Sequence, residues 1–341
     1  MNNKIKQNNF DRNMAFSMNI QDPDSIDDKS AIIDMFTIDN EFINIKSSTI
    51  YRVLTADTID PHKQHLETRH SYEKLYSIGA SNSYVARMIM QFKEILGLII
   101  QDNVLKEKLL SHVWKANKLL LECESSHYSI YNDFMKLMPR CDEIIEIHKT
   151  SQAIPALPKI TDLKKHVEHF LNYGKLFIIS TYEIFCIMYQ MPFEDKKEAY
   201  FGNHRDWIRN KFGSDDPIFR LLEQNKEWVK LVAELRNAVQ HPEQGYVVEI
   251  ENISIKPGNK FSPPGWRYDL TKRALGKQIE FVDLISDLDV HLNNFLTFFE
   301  ELLILCLKKE LDNRHSFLDI FRKRVEDIRP ECPIAYVVNK K

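Results

Sequence analysis

Arg236, Asn237 and His241 fall close together in the segment VAELRNAVQHP, residues 232–242. They are the one set in the chain whose residue types and spacing converge on chemistry. A histidine side chain titrates near neutrality, so it can take a proton from a ribose 2′-hydroxyl or deliver one to a leaving oxygen. A guanidinium can hold a phosphate through two parallel N–H donors while negative charge builds on it. Together they suit cleavage of an RNA strand without a metal. One histidine does not readily act as both base and acid, so a homodimer that sets two copies of the segment across one phosphate is a mechanistic expectation.

Such chemistry needs a rigid support, and the spacing predicts a helix. At about 100° per residue, with Arg236 at the origin, Asn237 lies at roughly 100° and His241 at roughly 140°. Leu231, Val232, Leu235, Ala238 and Val239 fall between roughly 200° and 320°. The polar and apolar sectors therefore separate, with the three polar groups on an exposed face and Pro242 and Gly245 closing the helix. Cations at a helix C-terminus also offset its dipole, which accounts for the charge but not for the asparagine or the separation of faces.

Residues around this helix are candidates for supporting roles. Arg205, Arg209 and Lys230 could contact RNA or belong to an ordinary mixed-charge surface. Tyr246 and Trp266 could stack a base or form the packing core of their own hairpin. Glu183 stands in the apolar run KLFIISTYEIFCIMYQM, residues 175–191. A carboxylate there should pair with a cation; pairing with Arg236 would make Glu183 an orienting residue. His62, His65 and His70, and the pair His166 and His169, lack nearby cysteines and the HExxH spacing, so no metal site is assigned.

The elements that must carry these groups read as mostly helical. Residues 1–60 read as a mobile arm with short strands around Phe42 to Leu54, and 61–150 as a helical region with apolar spacings of three and four from Val85 to Ile99. The two prolines in TSQAIPALPKI mark a linker or boundary, so 151–341 is taken as a second, helical domain. Within it, 161–191, 217–241 and 277–310 read as helices, and 246–270 alternates around a PGN turn as a β-hairpin. The expected fold class is all-α, a helical bundle interrupted by one hairpin.

Composition supports that class. Nine glycines in 341 residues is well under half the usual share of roughly 7%, which disfavours glycine-dependent folds. Neither GxGxxG nor GxxxxGK[ST] occurs, so no nucleotide cofactor is expected. A net charge of −3 excludes a generic basic scaffold for nucleic acid. Five scattered cysteines without a CxxC pair suggest reduced thiols. With no signal-peptide pattern and no long uncharged apolar stretch, the expectation is a cytoplasmic protein without membrane association.

At RNAVQH, residues 236–241, the sequence resembles the HEPN superfamily, helical-bundle domains marked by an Arg, a polar residue directly after it and a His beyond a gap of four to six residues. The resemblance spans 160–315 as helical architecture, with the motif alone carrying the specificity. It implies Arg236, Asn237 and His241 as catalytic residues of a dimeric, metal-independent endoribonuclease that leaves 2′,3′-cyclic phosphate ends. It further implies a toxin–antitoxin or antiviral defence setting, with an antitoxin partner in the first case. The alternative it implies is a non-catalytic HEPN-like module that binds RNA or another protein.

Overall fold

In the computed structural model, which describes residues 31–65, 67–192, 201–273, 275–314 and 317–341, the chain divides into two units. One comprises Met1–Glu94 with Arg322–Val337, the other Ile95–Phe321 with Val338–Lys341. The first thirty residues of the expected arm lie outside the described residues.

The rest of that arm builds most of a sheet. Strands β1 (Ile32–Ile38), β2 (Glu41–Lys46) and β3 (Ile50–Leu54) are followed by a one-turn helix α1 (Ala56–Ile59) and by β4 (Ser71–Tyr76), and the four pair antiparallel in sequence order. Between β1 and β2, Asp39 and Asn40 adopt φ of 50° and 62°. Two consecutive positive-φ residues make the tight turn whose twist matches a hairpin. Ile43, Ile45, Ile50 and Val53 are buried. A short helix α2 (Ser83–Val85) runs through a π turn, Ala86–Met90, into α3 (Gln91–Ile99). Gln91 is buried, and its Oε1 accepts from the backbone N–H groups of Ala335 and Tyr336 at 2.7 and 2.8 Å.

The second unit carries the long helices. Helix α4 (Asn103–Ile147) starts where the Asp102 side chain accepts from the N–H groups of Val104 and Leu105, and at about 1.5 Å per residue it is roughly 67 Å long. It lies antiparallel to α5 (Leu163–Tyr189): the His112 ring bonds the Ser180 carbonyl, and the Cys123 thiol donates to the Phe170 carbonyl. The proline-containing connection between them is tied down by Asn252, which exchanges two hydrogen bonds with the backbone of Ile160. It is a helix–helix loop within the second unit, and a division between the two units falls at Glu94/Ile95.

Helix α6 (Phe201–Phe212) precedes α7 (Pro217–Gln240), which begins with proline at its first position and Asp216 accepting from the Ile218 N–H. Three strands, β5 (Val247–Glu251), β8 (Gly265–Asp269) and β9 (Gln278–Asp283), form an antiparallel sheet in the order β5-β8-β9, with a small hairpin of β6 (Ser254–Lys256) and β7 (Lys260–Ser262) between β5 and β8. The expected hairpin is thus present as two nested strand pairs. Helix α8 (Leu284–Arg314) is the core helix, with Leu288, Leu292, Phe295, Phe299, Leu302 and Cys306 buried. It is long and apolar enough to cross a membrane by length and composition, and its most apolar stretch is mostly buried within the protein. The Phe295 ring meets Phe170 and Phe177 of α5 and Trp228 of α7, which locks the three helices together. Strands β10 (Leu318–Arg322) and β11 (Tyr336–Lys340) pair near the end of the chain, and all five cysteines are free thiols.

The all-α expectation is therefore corrected: among the described residues four antiparallel sheets accompany the helices, and the fold is mixed α and β. The physical reason lies in the turns. Asp39, Asn40 and Asn259 take left-handed backbone positions that the glycine count treats as missing. The helix read over 277–310 also starts later, because 278–283 pair with β8 as β9.

Candidate functional site

Val232, Leu235 and Ala238 of α7 are buried, as the helical periodicity requires. The polar side of the same turns does not face open solvent throughout. Arg236 and Asn237 are half-buried against α5, and of the three motif residues His241 alone is exposed. The Arg236 Nε donates to Asn172 Oδ1 at 2.9 Å, and its Nη1 to Asn237 Oδ1 at 3.1 Å. Asn172 Oδ1 also accepts from Gln240 Nε2 at 2.8 Å, and Asn237 Oδ1 from Lys175 Nζ at 3.4 Å. Cations only donate, so both amide oxygens must face inward.

No carboxylate among the described residues forms an ion pair with Arg236 or Lys175. Burial, and next the charge of Arg236, hold the Lys175 amine below its usual value, while Glu234 acts in the opposite direction. Glu234 itself accepts the Tyr246 hydroxyl at 2.5 Å. Burial first, and then this hydrogen bond, push the Tyr246 phenol well above its usual value. The Arg273 guanidinium lies 4.7 Å from the Tyr246 ring centre and also pairs with Glu243.

His241 caps the helix. Its backbone N–H donates to the Asn237 carbonyl at 2.8 Å, and its backbone then leaves helical geometry at φ −133°. Pro242 follows, and Gly245 at φ 70° lets the chain turn back toward β5. The ring makes no hydrogen bond to a described residue, so its nitrogens are open to an incoming group.

The supporting candidates scatter. Arg205 pairs with Asp206 and with Glu223 at the start of α7, roughly 20 Å along the helix from Arg236 at about 1.5 Å per residue. Arg209 is exposed on α6, and Lys230 is half-buried on α7, roughly 9 Å along the axis from Arg236. Trp266 is fully buried, its Nε1 donating to Asp287 Oδ2 at 3.0 Å, and Tyr246 is 2% exposed. Neither ring can take a stacked base; both serve the packing of their own sheet. Glu183 pairs with Lys115 at 3.1 Å and His112 at 3.4 Å on α4 and not with Arg236. The hydrogen bond from His112 is the main reason its carboxyl sits below the usual range.

Asn172, Lys175 and Gln240 are not among the residues expected from sequence. Lys175 carries a readable signal, a cation opening the apolar run of α5. Asn172 does not, because its role depends on how α5 meets α7. Among the described residues, no group of three or more His, Cys, Asp or Glu side chains could hold a metal ion. His70 is used locally, its Nδ1 accepting from the Ala56 N–H at 3.0 Å. No protein-family model, curated protein or solved structure matches the chain.

Proposed function

We propose that the protein is a metal-independent endoribonuclease of the HEPN type, acting as a homodimer through Arg236, Asn237 and His241. The observation that carries this reading is a half-buried arginine fixed at two points by neutral amides, without a carboxylate partner among the described residues, beside an exposed histidine at the end of the same helix. A guanidinium neutralised by Asp or Glu would have to lose that partner to bind phosphate; Arg236 does not.

In this mechanism Arg236 binds a non-bridging oxygen of the scissile phosphate, and Asn237 holds the guanidinium in place. His241 of one protomer takes the proton from the ribose 2′-hydroxyl. The 2′-oxygen forms its bond to phosphorus as the bond to the 5′-oxygen breaks, and the second histidine of the dimer gives that leaving oxygen its proton. The products are a 2′,3′-cyclic phosphate and a 5′-hydroxyl, with no water consumed. Such an activity fits a toxin or an antiviral defence effector, a toxin being held in check by an antitoxin.

The test is incubation of RNA, with chelator present, with the purified protein and with the Arg236→Ala/His241→Ala double variant. Cleavage by the first and not by the second supports the reading, and equal fragment patterns overturn it. Light scattering checks the dimer separately, since a monomer at micromolar concentration removes the composite site. A second reading, a non-catalytic HEPN-like module, is favoured by one observation: Arg236 and Asn237 tie α7 to α5 and so have a structural use. It predicts RNA or protein binding without new cyclic-phosphate ends.

A further inference from the structure

The motif accounts for one cation, yet the structure brings up two. Lys175 of α5 and Arg236 of α7 both donate to the same oxygen, Asn237 Oδ1. Both are half-buried. Two other partly buried cations of the second unit are matched by carboxylates: Lys309 by Asp216 at 2.6 Å and Arg205 by Glu223 at 3.3 Å. The carboxylate beside the site, Glu234, accepts the Tyr246 hydroxyl and forms no ion pair with either cation. Two cations around one neutral amide oxygen repel each other, and an anion placed between them removes that repulsion.

We propose that Lys175 and Arg236 together form one phosphate site, in which Lys175 binds a backbone phosphate of the RNA chain alongside the arginine. The inference rests on the endoribonuclease reading for its ligand. It adds a binding residue from a different helix, outside the motif. The forked guanidinium suits two oxygens of one phosphate, and the ammonium, a compact donor on a flexible stem, suits a third oxygen or the next phosphate along. The amide of Asn237 spaces the two cations while the site is empty. Displacement of Lys175 from it frees the ammonium for the ligand, while Asn237 keeps its hold on the guanidinium. Burial by the surrounding helices makes each hydrogen bond to the phosphate stronger than one from a surface lysine.

The experiment measures binding of a labelled single-stranded RNA with every 2′-hydroxyl methylated, so that it cannot be cut, by fluorescence anisotropy over a range of salt. The proteins are the unmodified chain, Lys175→Met and Lys175→Arg. Methionine keeps the aliphatic packing, and arginine keeps the charge. The expected result is binding weakened about tenfold in Lys175→Met and largely kept in Lys175→Arg. Because Lys175→Met leaves one phosphate without its cation, its slope of log affinity against log salt should be shallower by about 0.7. Binding weakened equally in both variants with an unchanged salt slope would mark a structural lysine and overturn the proposal. So would binding by Lys175→Met equal to that of the unmodified chain, or no binding by the unmodified chain. Cleavage of ordinary RNA is read in parallel. Cleavage that persists while Lys175 proves irrelevant to binding leaves the nuclease reading intact. Lys175-dependent binding without any cleavage removes the nuclease reading and leaves the phosphate site standing.

Discussion

Replacing Gly174 by alanine tests how closely α5 must approach α8 to place Asn172 and Lys175 against α7. A Cβ at position 174 would lie 2.6 Å from Cζ and 3.0 Å from Cε2 of Phe295, where ordinary contacts begin near 3.5 Å. The Phe295 ring cannot swing aside, because Phe170, Phe177 and Trp228 surround it with ring centres 6.1, 5.6 and 5.3 Å away. Alanine gains about 1 kcal/mol over glycine in a helix interior, and overpacking a filled core costs about 1–3 kcal/mol. The net expectation is a loss of about 1 kcal/mol. Gly97→Ala in α3 is the matched control, since nothing lies within 4 Å of its Cβ position, and it should gain about 0.5–1 kcal/mol. All four tryptophans, Trp114, Trp207, Trp228 and Trp266, belong to the second unit, so urea unfolding followed by tryptophan fluorescence reports the Gly174→Ala change directly. The Gly97→Ala change is read in the same titration. An increase in midpoint for Gly174→Ala comparable to that for Gly97→Ala would refute the close approach.

Three further expectations concern stability. Burial raises the Glu124 carboxyl from about 4.5 to about 7, and no cation or hydrogen-bond donor among the described residues offsets it. The folded protein then keeps a proton that the unfolded chain releases, so this contribution is full below about pH 4.5 and is lost as pH rises to about 7. Glu124→Gln should match the unmodified protein near pH 4 and exceed it by about 1–3 kcal/mol at pH 8; equal urea midpoints at both pH values would contradict the burial. Trp266→Phe removes the donor to Asp287 from a buried position and should cost about 1–3 kcal/mol, read as a lowered thermal midpoint. Asp216→Ala removes both the cap of α7 and the partner of Lys309, whereas Asp216→Asn keeps only the cap. The order of stability should be Asp, Asn, Ala, with the alanine variant about 1–3 kcal/mol below the unmodified protein.

Much of the helical part is legible in the sequence because its signal is local. The apolar spacing of α7 places Val232, Leu235 and Ala238 inward, and the prolines before α5 mark a break in the chain. What that break means is not legible: it reverses the chain between two helices that pack on each other, and only tertiary contacts such as Asn252 to Ile160 show this. The strands are underread because a low glycine count argues against turns only if glycine is their main source. In β1–β2 the left-handed positions are filled by Asp39 and Asn40, whose short polar side chains tolerate that conformation. For the site, the motif's helix and its polar sector can be read from spacing. The half-burial of Arg236 and Asn237 and the arrival of Asn172 and Lys175 depend on the packing of α5 against α7. For Trp266 the sequence leaves a base-stacking platform and a packing core both open, and burial assigns it to the core.

The central claim is that Arg236 and His241 cut RNA by attack of the neighbouring 2′-oxygen, and the chemistry of the new ends tests it most directly. Fragments made by the purified protein in the presence of chelator should carry 2′,3′-cyclic phosphate and 5′-hydroxyl ends, and these ends should vanish with Arg236→Ala/His241→Ala. Fragments with 3′-hydroxyl and 5′-phosphate ends, or cyclic-phosphate ends that persist in the double variant, would contradict it.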